Sequence, residues 1–155
     1  MKKWKLIGLA VIVVLVGSLL VVKKVSPVSW DWWGTYNTSS GLALKGYDPV
    51  AYFDGSGPTQ GSNQFTHDWG GATWQFSSTE NKNLFSSSPE SYAAQFGGFC
   101  SFAVSKGFTA DISPDAWHIE DGHLYVFADK NVRDDWVENL GEGSLERSSV
   151  NWAKR

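Results

Sequence analysis

The sequence holds a single cysteine, Cys100, so no disulfide can form within the chain and the small cystine-stapled architectures are excluded. A lone thiol in a domain outside a membrane is a metal ligand, a reactive or intermolecular thiol, or a small buried hydrophobe. Catalytic signatures are also missing: there is no Gly-x-Ser-x-Gly elbow, no phosphate loop and no Glu/His pair at metalloprotease spacing. A non-enzymatic protein is the expectation. There is no Cys-x-x-Cys, no His-x-x-x-His and no internal repeat. Basic residues are scarce after Lys24, eight against sixteen acidic ones, which leaves that part of the chain near −8. A surface of that sign repels phosphate backbones, so nucleic acid is not an expected partner.

What the chain has in quantity is aromatic rings: nine Trp, nine Phe and five Tyr, 15 % of 155 residues. Large rings give a small domain much buried area per residue, which offsets the lack of cross-links. The length suits one domain. Ahead of it, Leu6 to Val22 is apolar apart from Gly8, Gly17 and Ser18. A helix of that length covers about 25 Å of a ~30 Å hydrocarbon layer, and Trp4 and the flanking lysines can extend it at the interfaces. The run ends in Val21-Val22-Lys23-Lys24-Val25 without a small-residue cleavage site, so an uncleaved anchor is expected. Lys2, Lys3 and Lys5 with the amino group outweigh Lys23 and Lys24, which places the N-terminus in the cytoplasm. Trp30, Trp32 and Trp33 follow closely, either packed on the domain or forming an interfacial belt.

The expected organisation is an anchor over 1–25, a polar linker over 26–40 and a domain over 41–152. Phe65 to Trp69 and Ala72 to Phe76, joined by Gly70-Gly71, read as a β-hairpin, as do Ala116 to Ile119 and His123 to Phe127 around Asp121-Gly122. Ser77-Ser78-Thr79-Glu80 matches a capping box with Ser77 as N-cap, leading into a helix through Asn81 to Phe85 that buries Leu84 and Phe85. Pro89 opens another helix carrying Tyr92. A short helix from Cys100 to Ser105 follows Gly97-Gly98, and Val132 to Leu140 and Leu145 to Trp152 are weaker helical stretches. The pattern predicts an α+β fold of short antiparallel hairpins and small helices, preceded by one transmembrane helix.

Gly46-Tyr47-Asp48-Pro49-Val50-Ala51-Tyr52-Phe53, the Phe76-Ser77-Ser78 step into Glu80-Asn81, the spaced Phe85, Pro89 and Tyr92, and Gly97-Gly98-Phe99-Cys100 together resemble the YHS domain. Pro114-Asp115-Ala116-Trp117-His118-Ile119 and Asp121-Gly122-His123-Leu124-Tyr125 extend the likeness to exported YHS-domain proteins, so that it covers Gly41 to Trp152. The resemblance implies a binding module for a transition metal, copper among them, and a place in the bacterial inner membrane with the domain facing the periplasm. It also implies two cysteines, at positions that here hold Ala51 and Ser77. A methyl group and an unactivated hydroxyl are poor ligands for a soft cation.

Cys100 could replace that pair, with His67, His118 and His123 as further donors for copper or zinc. A thiol at a helix N-terminus could instead serve redox chemistry. Asp48, Tyr47 and Tyr52 are candidates for a small-ligand pocket of polar tips on an aromatic wall, with a plain turn as the alternative. Beyond the bilayer around Leu6 to Val22, a metal-free module would dock on a membrane-protein partner and would need an exposed aromatic patch.

Overall fold

The hairpin around Gly70-Gly71 forms because both central residues take positive φ, +62° and +80°, the left-handed turn that matches the twist of paired strands. It joins β4 (Ser62–Trp69) to β5 (Ala72–Phe76), with Trp69 opposite Ala72 and a bulge between Ser62 and Thr66. Alternation then drives Ala72, Trp74 and Phe76 into the core. The computed structural model describes the backbone of residues 2–155 and the side chains from residue 12 onward.

The chain begins with helix α1 (Lys2–Val22). Its described side chains from Ile12 to Val22 make almost no tertiary contact, and Val22 is 70 % exposed. Among the described residues no helix is long and apolar enough to cross a membrane. Leu6 to Val11 of the expected Leu6–Val22 span, together with Trp4, Lys2, Lys3 and Lys5, have side chains outside the described residues.

The stretch 26–40, composed like a linker, lies against the domain. Strand β1 (Ser26–Pro27) pairs with β6 (Phe108–Thr109), and the buried Ser26 hydroxyl meets that of Thr109 at 3.0 Å. Buried Asn37 donates to the Gly98 carbonyl and to Asp111, each at 3.1 Å, while the Lys24 ammonium donates to Asn37 and Thr38. Strands β2 (Thr38–Ser39) and β3 (Leu42–Ala43) extend the hairpin into a four-stranded sheet of order β2-β3-β5-β4. The β3–β5 pairing is parallel, so this sheet is mixed rather than purely antiparallel.

Helix α2 (Thr79–Ser87) is capped by Ser78, whose hydroxyl accepts from Asn81 N–H at 3.1 Å. Ser77 was the expected cap. Its hydroxyl instead donates to Asp48 at 2.6 Å, and the helix starts one residue later. Phe85 is fully buried against Trp74 and Phe76, whereas Leu84, expected beside it, is 46 % exposed, a helical step of about 100° round from Phe85. Helices α3 (Pro89–Tyr92) and α4 (Ser101–Ser105) follow, then the hairpin of β7 (Ser113–Glu120) and β8 (His123–Phe127). Helices α5 (Lys130–Glu138) and α6 (Ser144–Trp152) close the domain. Trp136 is buried between Tyr125 and Phe127, and its indole N–H donates to Ser148, which in turn donates to the Ser101 carbonyl.

Candidate functional site

Cys100 stands at the N-cap of α4, 1 % exposed and within the hydrophobic core. Its sulfur accepts a hydrogen bond from the Ala128 N–H at 3.3 Å. Burial pushes the thiol above its usual range, more than neighbouring backbone N–H groups pull it down. A redox thiol needs the reverse, an exposed sulfur with a stabilised thiolate.

The histidines sit elsewhere. His67 lies on β4 opposite Trp74, its ring edge on Phe85 with centroids 6.0 Å apart. His118, Glu120 and His123 share one face of the β7–β8 hairpin. There His118 closes on Glu120 at 2.9 Å, while the exposed His123 turns Nδ1 to the Asp121 carbonyl at 2.9 Å. Among the described residues no three His, Cys, Asp or Glu side chains gather into a metal-holding group. The four donors expected from the sequence are thus spread over the core and two hairpins: Cys100 is buried at the start of α4, His67 packs beside Phe85 on the first hairpin, and His118 and His123 lie on the second. The pair of positions implied by the YHS resemblance does not fit a soft cation either. Ala51 offers only a methyl group, and the Ser77 hydroxyl is engaged by Asp48.

Asp48 has no accessible surface. One carboxylate oxygen accepts from Val50 N–H at 2.9 Å; the other accepts from Ser77 N–H at 2.8 Å, Ser77 hydroxyl at 2.6 Å and the Asn81 amide at 2.7 Å. This is an architectural hub that ties the Val50–Tyr52 turn to the start of α2, not a pocket wall. Tyr52 is likewise buried, its hydroxyl donating to the Pro114 carbonyl at 3.1 Å, and burial lifts its pKa far above the usual value. Tyr47 is half-buried and bridges to Gln60.

An open pocket lies instead between the two hairpins. It measures about 530 Å³ and takes its rings from Tyr36, Trp69, Phe96 and Trp152. Its polar lining comes from Thr35, Glu90, Gln95 and His123. Only His123 among these was a candidate on sequence grounds. Thr35 and Tyr36 were hidden by the linker-like composition of 26–40. The signal that could have exposed them is Gly70 and Gly97: a Cβ at Gly70 would meet the Tyr36 ring at 2.5 Å, and one at Gly97 would strike the Thr35 carbonyl. These glycines let the segment press against the domain.

A second cavity, about 480 Å³ and almost wholly apolar, opens at the base of α1 between Leu20, Val21, Trp30, Trp32 and Phe108. Trp30 and Trp32 are 53 % and 64 % exposed and pack on each other in a tilted pair, with centroids 4.5 Å apart. Trp33 is half-buried against the core, so the aromatic triplet divides between packing and exposure. No family model matches this sequence, and neither a curated protein nor a solved structure is significantly similar to it.

Proposed function

We propose that this protein is a membrane-tethered, YHS-like binding module without catalytic chemistry of its own, held on the outer face of a bacterial inner membrane by α1. The observation that carries this reading is the exposed apolar face of Trp30, Trp32 and Phe108, continuous with the bare apolar side chains of α1. In water such a face is costly; at the headgroup level of a bilayer, indole rings find both hydrocarbon and polar partners. Exposed Lys23, next to Val22 at the end of α1, and exposed Lys106, two residues before Phe108, would meet anionic headgroups. The face therefore sets the domain against the lipid, leaving the acidic remainder of its surface for other partners. A metal held by Cys100 plays no part in this reading, because no imidazole or carboxylate forms a set with its sulfur.

The test is reconstitution of the full chain in vesicles of phosphatidylcholine brominated on its acyl chains. The protein should float with the vesicles after carbonate washing, and its tryptophan emission should be partly quenched. Trp30→Phe/Trp32→Phe should lose a share of that quenching equivalent to about two indoles. A chain that stays in the aqueous fraction defeats the anchoring; a chain that floats with undiminished quenching in the double variant defeats only the aromatic face.

A further inference from the structure

The pocket between the hairpins combines aromatic walls with polar groups that are not tied up by other side chains. Among the described residues, the Tyr36 hydroxyl, the Glu90 carboxylate and the Gln95 amide make no side-chain hydrogen bond, and His123 uses only Nδ1, leaving Nε2 free. A few solvent-facing polar tips converging on a ring-lined cavity of this size are the usual composition of a small-ligand site. The wall rings are packed against their neighbours. Tyr36 packs on Trp69 and Trp74 at 5.5 Å and 5.4 Å, and Phe96 meets Tyr125 and Trp152 at 5.7 Å and 6.1 Å. Phe96 is held at φ +52°, a left-handed conformation that a bulky residue adopts only under tertiary constraint.

The lining sets the sign of the ligand. Glu90 is its one acidic group, and no lysine or arginine lines it. Burial, and after it the Glu90 charge, raise the Tyr36 pKa, so the carboxylate is felt at the ring wall. Arg155 sits over the ring of the lining residue Trp152 at 4.6 Å and pairs with Asp31, which neutralises it. An anion would meet Glu90 unopposed. A cation would find a carboxylate, an amide oxygen and the electron-rich faces of Tyr36 and Trp69.

We propose that this pocket binds a small organic cation carrying an alkylammonium group, with Glu90 as its counter-ion and the Tyr36 and Trp69 rings as its walls. The assignment is independent of the membrane placement and goes beyond it by naming a ligand class. The same ammonium chemistry occurs in a free amine and in a lipid headgroup.

The full chain in a maltoside detergent, at low salt, would be titrated with choline and with putrescine while the Trp69 indole N–H resonance is followed. Saturable shifts with at least one of them are expected, and Glu90→Gln should weaken binding about tenfold or more. Glu90 lies on the exposed face of α3, so the variant should keep the wild-type unfolding midpoint. Phosphocholine binding as tight as choline would identify a headgroup as the source and support the site. Weaker phosphocholine binding would identify a free cation and support it equally. Absence of saturation by both amines, unchanged affinity in Glu90→Gln, or tighter binding of acetate would each overturn the assignment.

Discussion

At the scale of single residues, the decisive facts are the environments of two groups that the sequence brought forward for chemistry. Asp48 was attractive as an acid beside tyrosines. Its four hydrogen bonds come from neutral donors, two of them backbone N–H groups, and they link two elements far apart in sequence. Asp48→Ala removes the acceptor shared by the buried Val50 N–H, the half-buried Asn81 amide and the N–H and hydroxyl of Ser77. It should cost about 3 kcal/mol of stability, read from urea unfolding, while leaving the organic-cation pocket untouched in a still-folded protein. Cys100 was attractive as a lone thiol, and it behaves as a small core side chain. A buried thiol was among the sequence's own readings of Cys100 and a turn among those of Asp48; the partners that settle each were not legible in sequence. Asp before Pro suits a turn or a site, and Gly-Gly-Phe-Cys suits a reactive or a buried sulfur.

At the scale of elements, periodicity and turn chemistry located both hairpins and most helices. Two-residue turns with glycine, Gly70-Gly71 and Asp121-Gly122, admit few alternatives once alternating rings flank them. Phase was harder. The capping position of α2 moved by one residue because Ser77 was drawn to a distant carboxylate, and Leu84 turned outward while Phe85 went in. Phe85→Ala should therefore destabilise the fold by about 3–5 kcal/mol, and Leu84→Ala by less than about 1 kcal/mol. Chemical denaturation of the two variants side by side checks the register; equal losses would contradict it. In α6, the residues that meet the rest of the domain most closely are Ser144 and Ser148, small enough to let the helix approach Trp136 and Ser101. No apolar periodicity marks them.

At the scale of the whole molecule, burial of ionisable groups ties stability to pH. The Cys100 pKa is raised in the fold, so the folded state keeps its thiol neutral where the unfolded chain ionises. With more protons bound when folded, this group's contribution is constant below the unfolded pKa of about 8.5 and becomes destabilising as pH rises above it. Between pH 7.5 and 9.5 the effect reaches about 1.4 kcal/mol at most. Urea midpoints should show an alkaline decline in the wild type that is smaller in Cys100→Ala, whatever the variant's baseline; parallel profiles would place the thiol in contact with water. The buried Tyr52 adds a decline in the same direction at higher pH.

Composition, turn residues and alternation by themselves determined that this chain is an α+β domain rich in rings, with an apolar helix in front of it, because those signals act between neighbours in sequence. Tertiary structure alone decided that 26–40 is a wall of the domain, that Asp48 is a hub, that the sulfur is sealed, and that Tyr36, Glu90 and His123 share a cavity. Each of these joins groups tens of residues apart, and its energy comes from desolvation and contact across the fold, which no local pattern records.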